Sequence, residues 1–367
     1  MPKLALFLLI FFITSQNPST HRKGEDKMKR VWSALLALVM ALSLAACGGT
    51  STGGGGTGAD EENGGTEVRV LSFGHAQSDT HLFNDTVLKF KDLLEEKSGG
   101  AMSVDVFANG TLGNEREMAE SLQIGTLDMC ISAVATLSGF DSNLDVFNFP
   151  YLFESSEHAY KVLMGDLGYE LFKPLEESNG IKYLGQVDLG FRSMTNNERP
   201  IYTPNDCKGL RMRTMESSIC VESLSALGID AVSMSFGELF TALQTGAVDG
   251  QENPISVIYS SRFYEVQKYL SMTEHLYPVS PILMSMQTWN SLSEEEQGWV
   301  SEAMAEALDW SWEESATQID TMKQELADNG MEINEVDKAP FIKATQVVYE
   351  NYQDQYGELI ARIQAEA

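Results

Sequence analysis

"ALQTGAVDGQENP", residues 242–254, decides how the chain is read. A helix-like run reaches Gly246, and glycine is the residue that best tolerates the left-handed backbone on which many helices end. Val248 and Asp249 then begin a return strand. Gln251, Glu252 and Asn253 gather three polar side chains, and Pro254 cannot continue a ladder of backbone hydrogen bonds. "SLQIGTLDMCIS" (121–132) carries the same Leu-Gln-x-Gly-x-aliphatic-Asp frame. One structural unit therefore occurs twice, with Gly125 and Gly246 as matching helix caps.

The flanks support this. "EVRVLSFGH" (67–75) alternates and reads as a strand, and the next segment spaces Phe83, Val87, Phe90, Leu93 and Leu94 on one helix face before stopping at Gly99-Gly100. A strand in 101–110, a helix in 114–125 and a strand in 126–134 complete a parallel α/β lobe. A strand in 208–214, a helix in 218–228, a strand in 228–234 and a helix in 236–246 repeat the plan. Open α/β sheets bind ligands beyond the carboxyl ends of their strands. Two such lobes would face each other across a cleft, with Gln251-Glu252-Asn253 leaving the strand at its edge and pointing in. Met129-Cys130-Ile131 stand in the matching place, so the two copies differ chemically. Ser293 and Glu296 form a capping box. The helix they open should run about 36 residues, on the order of 50 Å, and back both lobes.

At 367 residues and 43% hydrophobic content, the chain can bury two ordinary cores. Its formal charge of −28 excludes a basic nucleic-acid-binding face. "LALFLLIFFI" (4–13) is about half the length that crosses a bilayer. "MKRVWSALLALVMALSLAAC" (28–47) has the basic start, apolar centre and small residues before Cys47 of a bacterial lipoprotein signal. Met28 is then the expected start, 1–27 an upstream extension, 1–46 a removed segment and Cys47 the lipidated residue. The remaining 19 basic and 51 acidic residues would carry −32. Residues 48–66, rich in Gly and Thr with no apolar residue beyond one Ala, read as a flexible tether with a reach of roughly 25 Å. The G-x-G-x-x-G match at 53–58 has neither the strand nor the helix that a dinucleotide site requires. Cys130, Cys207 and Cys220 are an odd set, and no structural disulfide is expected.

No G-x-S-x-G, H-E-x-x-H, P-loop or C-x-x-C occurs, so neither a catalytic nucleophile nor a cofactor or metal is expected. "GHAQSDTH" (74–81) leaves three readings open: His75 and His81 as metal ligands with Asp79, a loop that hydrogen-bonds a polar ligand, or a plain surface loop. Arginines carry more information in so acidic a chain. Arg192, Arg211 and Arg213 adjoin strand-like apolar residues, and a guanidinium fork in a dry cleft holds a carboxylate through two parallel N–H bonds. A surface ion pair is the competing reading. An exported enzyme with Asp249 or Glu252 as general base would need an activated partner, and no motif supplies one. A sensor-associated binding module would differ only in its partner.

"GFRSMTNNERPIYTPNDCKGLRMRT" (190–214) and "MSFGELFTALQTGAVDGQENP" (234–254) resemble the solute receptors of TRAP (tripartite ATP-independent periplasmic) transporters, as do "FGHAQSDTH", "LGNEREMAESLQIGTLDM" and "FNFPYLF". The resemblance extends from about residue 67 to the end. It implies a two-lobed periplasmic binding protein of type II-like α/β fold, each lobe a mixed, mainly parallel sheet flanked by helices, with the long helix spanning both. Lobe I would comprise 67–190 and about 279–318, and lobe II 191–278 and about 319–367. The resemblance also implies closure on a small organic acid and delivery to TRAP membrane permease subunits. Arg213 would be the carboxylate-gripping arginine, Arg192 a second arginine of the site, Phe236 a packing aromatic and Asn253 a polar contact. His75, Gln77 and His81 would contact ligand hydroxyls, which favours a sugar acid such as a uronate. The sialic-acid branch has an acidic residue about where Ala133 stands, so sialic acid is disfavoured.

Overall fold

Successive side chains of strand β1 (Arg69–Gly74) point to opposite faces, which turns Leu71 and Phe73 into the core and leaves Val70 exposed. Helix α1 (Leu82–Lys97) buries Phe83, Val87, Phe90 and Leu94 against it, each such side chain contributing about 1.5–3 kcal/mol of burial. The structure, a computed structural model, describes residues 68–367. The signal segment, Cys47 and the tether expected at 1–66 lie outside the described residues.

Strand β2 (Met102–Phe107), helix α2 (Glu115–Gln123) and strand β3 (Met129–Ile131) follow, and β1, β2 and β3 are mutually parallel as their order requires. Gly125 closes α2 at φ +70° and Gly246 closes its counterpart at φ +69°. After α3 (Val134–Leu137), a 3₁₀ turn (Ser142–Asn148), α4 (Ser156–Leu163) and α5 (Asp166–Asn179), the chain makes β4 (Ile181–Gln186) and leaves the first sheet.

The second sheet collects β5 (Arg192–Asn196), β6 (Arg211–Thr214), β7 (Asp230–Ser233), β8 (Gly250–Pro254) and β9 (Tyr269–Leu276), interleaved with α6 (Pro204–Cys207), α7 (Ser218–Ala226), α8 (Phe236–Gln244) and α9 (Ile255–Ser260). The chain then returns. Strand β10 (Pro281–Ser285) lies antiparallel between β3 and β4, so the first sheet reads β2-β1-β3-β10-β4. After α10 (Met286–Ser291), α11 (Glu294–Asp328) carries the chain on to β11 (Glu332–Glu335), which edges a second sheet of order β11-β9-β5-β8-β6-β7. Both sheets are mixed: β10 enters the first antiparallel to β3 and β4, and β5 enters the second antiparallel to β8 and β9, whereas β11 joins β9 in parallel.

The long helix is 35 residues and opens with the Ser293–Glu296 capping box. Its first half packs Val300, Ala303, Met304, Ala307 and Leu308 with Phe73 and Phe90. Its second half brings Ile319, Met322 and Leu326 to Leu239, Val248 and Leu270 of the other sheet. The two strand crossings, at 187–191 and 277–280, are tied to each other and to this helix. The Tyr277 hydroxyl donates to Asp188 Oδ1 at 2.6 Å, Trp312 Nε1–H donates to the Gln186 carbonyl at 2.7 Å, and the Tyr277 and Trp312 rings stack at 6.4 Å.

One placement departs from the sequence expectation. Gln251, Glu252 and Asn253 do not leave a strand at its edge; they are β8 itself, fully buried between β5 and β6. Gly250 permits this approach, since a Cβ there would stand 2.1 Å from the Thr195 carbonyl oxygen. Helix α12 (Ala339–Asn351) contributes Phe341 to the cluster with Met212 and Leu224 and Val348 to the cluster with Leu144, Phe147 and Phe149, which α13 (Gln353–Gln364) joins through Tyr356, Ile360 and Ile363.

Candidate functional site

The carboxyl ends of β1 and β3 on one side, and of β6 and β8 on the other, enclose a cavity of about 230 Å³. That is smaller than the ~300–1,000 Å³ usual for drug-sized ligands, so the space suits a small molecule. Gln77 and Phe83, the 109–113 loop, Glu115 and Ala133 line it from the first lobe. Arg192, Arg213, Phe236 and Asn253 line it from the second, with Leu189, Pro278 and Ser280 at the crossings.

Arg213 is 4% exposed on β6. Its Nε–H donates to the Met234 carbonyl at 2.9 Å, which fixes the plane of the guanidinium. Neither Nη group has a hydrogen-bond partner among the described residues, and no carboxylate reaches ion-pair distance. Burial, and then the neighbouring Arg192 charge, lower its pKa to about 10, with Glu252 and Glu115 opposing. The group stays cationic at neutral pH and presents two free N–H edges in a desolvated space. Arg211, on the same face two residues earlier, lies at the strand's outer end and pairs with exposed Asp230 at 3.7 Å.

Arg192 has a different occupation. It lies across from β8 and is engaged by Glu252 in a buried pair: Nε–H donates to Oε2, Nη2–H to Oε1 at 3.0 Å, and Nη2–H also to the Glu252 carbonyl. Thr214 donates to Glu252 Oε1 at 3.1 Å, and His275 Nε2 stands 3.4 Å from Oε2. Burial by itself would push the Glu252 carboxyl up, but Arg192 and His275 outweigh it and hold the pKa at about 2. So acidic a carboxyl is a poor general base. The second arginine therefore lines the cavity with most of its fork already engaged, leaving Nη1 free of protein partners among the described residues.

Asn253 donates through Nδ2 to Gln251 Oε1, Gln251 Nε2–H donates to Thr195 Oγ1 at 2.9 Å, and Thr195 donates to Gln267 at 2.8 Å. This chain explains how a strand of polar residues is buried without loss: its side chains hydrogen-bond along the sheet. The Asn253 carbonyl oxygen keeps its capacity for a ligand donor. Phe236 opens α8 and packs on Phe263, with ring centroids 6.2 Å apart.

The loop after β1 divides. Gln77 lines the cavity, but His75 and His81 do not; both are buried behind it. His81 caps α1, its Nδ1 accepting the Phe83 N–H at 3.1 Å, and His75 Nε2 faces Asn84 Oδ1 at 3.4 Å. Among the described residues no cluster of three or more His, Cys, Asp or Glu side chains could hold a metal. Burial lowers the pKa of His75 to about 4, against smaller opposing effects of Asn84, Gln77 and Asp79, and burial with the His75 charge lowers that of His81 to about 3. The unfolded chain, with pKa values near 6.5, binds more protons than the fold between those limits. Stability should therefore fall as pH drops from about 6.5 towards 4. Urea unfolding at pH 7 and pH 4.5 checks this, and an unchanged midpoint would show that the two imidazoles are not held neutral.

Glu115 is among the lining residues that the sequence reading passed over. It is the first residue of α2, immediately after the N-cap Asn114, and its Oε2 accepts the Ala133 N–H at 3.2 Å. Burial holds its pKa above the ordinary carboxylate value, against the smaller opposing pull of that hydrogen bond and of the Arg213 and Arg192 charges.

Comparison with known proteins places this architecture. The profile of DctP, "Bacterial extracellular solute-binding protein, family 7", matches residues 73–355. The 2,3-diketo-L-gulonate-binding periplasmic protein YiaO of Escherichia coli is 35% identical over 237 residues, covering 64% of this chain and 72% of the relative. A TRAP periplasmic solute-binding protein from Polaromonas sp. JS666, solved with D-erythronate, superposes with a TM-score of 0.78 at 35% identity, covering 81% of this chain and 98% of that one. Another from Pseudomonas putida F1, solved with D-glucuronate, gives 0.77 at 30% identity, covering 81% and 97%. A cavity between two α/β lobes that holds a buried, unpaired guanidinium, and a family match along most of the described chain, lead to one assignment: the chain belongs to the DctP family and is a TRAP-type extracellular solute-binding protein.

Proposed function

We propose that the cavity captures a small organic acid, a sugar acid such as a uronate, through its carboxylate, and that the closed receptor delivers it to the TRAP membrane permease. The observation that carries this reading is the state of Arg213: a buried guanidinium, held in plane by Met234, with both Nη groups free of protein partners among the described residues. A desolvated charge of this kind gains most from an ionised bidentate acceptor. Asn253 and the free Nη1 of Arg192 orient the bound acid, Gln77 meets its hydroxyls and Phe236 packs on its apolar face. His75 and His81 take no direct part in this reading. The relatives solved with D-erythronate and D-glucuronate support the sugar-acid class.

The acid touches both lobes, so it favours the closed arrangement over the open one. Cys47 anchors the receptor to the outer face of the membrane through its lipid, a reading that rests on the signal sequence alone. A thermal-shift screen against sugar acids, dicarboxylates and neutral sugars tests the ligand class. A cognate acid at 100-fold above its dissociation constant should add about 2.7 kcal/mol of stability. Stabilisation by neutral sugars and not by any acid would overturn the proposal.

A further inference from the structure

Two residues that meet across the lobes hold backbone conformations that side chains of their kind rarely adopt: Tyr151 at φ +57° and Glu274 at φ +41°. Tyr151 belongs to the first-lobe segment between the 3₁₀ turn and α4. Phe149, two residues earlier, stays in that lobe, caged by Tyr349, Tyr352 and Tyr356 with ring centroids 5.0–6.0 Å away. Tyr151 instead packs against the second-lobe cluster that contains Met194 and Met212. There it grips β9 on both sides of Glu274. Its N–H donates to the His275 carbonyl at 2.9 Å, and its hydroxyl donates to the Thr273 carbonyl at 3.2 Å.

Glu274 lies within a bulge. Arg192 pairs with Leu276 and Met194 with Ser271, so Met272 to His275 stand opposite Ser193 alone. Ser193 Oγ accepts the Glu274 N–H at 3.3 Å, and Lys338 pairs with the Glu274 carboxylate. Bulges re-aim the side chains beside them. Here that side chain is His275: Thr273 Oγ1 stands 2.9 Å from its Nδ1, and its Nε2 faces Glu252 Oε2 at 3.4 Å, in the pair that holds Arg192. Arg192 also sits at the register step itself, where a slip by one residue would turn it to the opposite face of the sheet.

We infer that Tyr151 is a positioning residue of the binding site: from the first lobe it fixes the β9 bulge that aims His275 at Glu252, and so holds Arg192 at the cavity. The lobe that does not carry Arg192 thereby governs it. The effect on affinity rests on the ligand role proposed for Arg192, whereas the effect on His275 does not.

Tyr151→Phe keeps the ring and removes the hydroxyl. NMR of the imidazole nitrogens reads His275 directly, and calorimetric titration with D-glucuronate reads the site. Both should change: the His275 ring signals should move from their wild-type positions, and affinity should fall by about five- to tenfold, the effect of one hydrogen bond. Adding Glu274→Gly to Tyr151→Phe should restore both, because glycine takes a positive φ without being held there. A tyrosine that only packs between the lobes would not be rescued in this way. His275 signals or a D-glucuronate affinity unchanged in Tyr151→Phe, or no restoration by Glu274→Gly, would overturn the inference and leave the Arg213 clamp standing. If D-glucuronate does not bind the wild type, the uronate reading fails, and the His275 signals alone decide this inference.

Discussion

Arg213→Ala should abolish ligand capture, with a loss of about 2–5 kcal/mol, roughly 30-fold to several thousandfold in affinity. The size follows from the setting. In water a single ion pair is worth little, but here the guanidinium is 4% exposed, and the acid's carboxylate would be left desolvated without its partner. Arg213→Lys should also fail to restore wild-type affinity, because an ammonium cannot reproduce two parallel N–H bonds from one plane. Stability should hardly suffer in either variant: the side chain's only hydrogen bond among the described residues is that to the Met234 carbonyl. Calorimetric titration with an acid that stabilises the wild type, alongside urea unfolding of each variant, separates the two effects. Wild-type affinity in Arg213→Ala would remove the clamp from the account.

Glu252→Gln should do the reverse, striking the fold before the ligand. It strips the counterion from Arg192, itself 4% exposed, and leaves a buried charge uncompensated, an arrangement that typically costs about 3–5 kcal/mol. The acid dependence has the same root. Glu252 titrates at about 2 in the fold and near 4.5 when unfolded, so its contribution is complete above about pH 4.5 and is lost as pH falls towards 2. The double variant Arg192→Met, Glu252→Met removes both charges together and should be less damaging than Glu252→Gln alone. Urea midpoints of the single and double variants decide it. A single variant as stable as the wild type would show that the pair carries no structural weight.

These two arginines show where the sequence was legible and where it was not. Both adjoin strands in a strongly acidic chain, and both a carboxylate clamp and an ion pair were open for each. Arg192 meets its carboxylate 60 positions away on β8, through antiparallel pairing of β5 with β8 that no local pattern encodes. Arg213 sits between β7 and β8 and meets none. The local devices were readable: Gly125 and Gly246 at positive φ, the Ser293–Glu296 capping box and the apolar face of α1 all depend on residues within a few positions of each other. Gln251-Glu252-Asn253 misled because polar runs usually mark strand exits, while here Thr195, Gln267 and Arg192 satisfy them inside the sheet. His81 was read as a ligand contact, though its place just before a helix already allowed a capping role. Glu115 had a usable signal, a carboxylate opening a helix that follows a strand, at the edge where binding loops collect.

The most direct test of the central claim is a crystal structure of the receptor with an acid that stabilises it in the thermal-shift screen. The account predicts the carboxylate in the cavity between the lobes, with its two oxygens at about 2.7–2.9 Å from the Arg213 Nη atoms. A carboxylate directed to solvent or held by other residues, with the Arg213 fork unengaged, would contradict it.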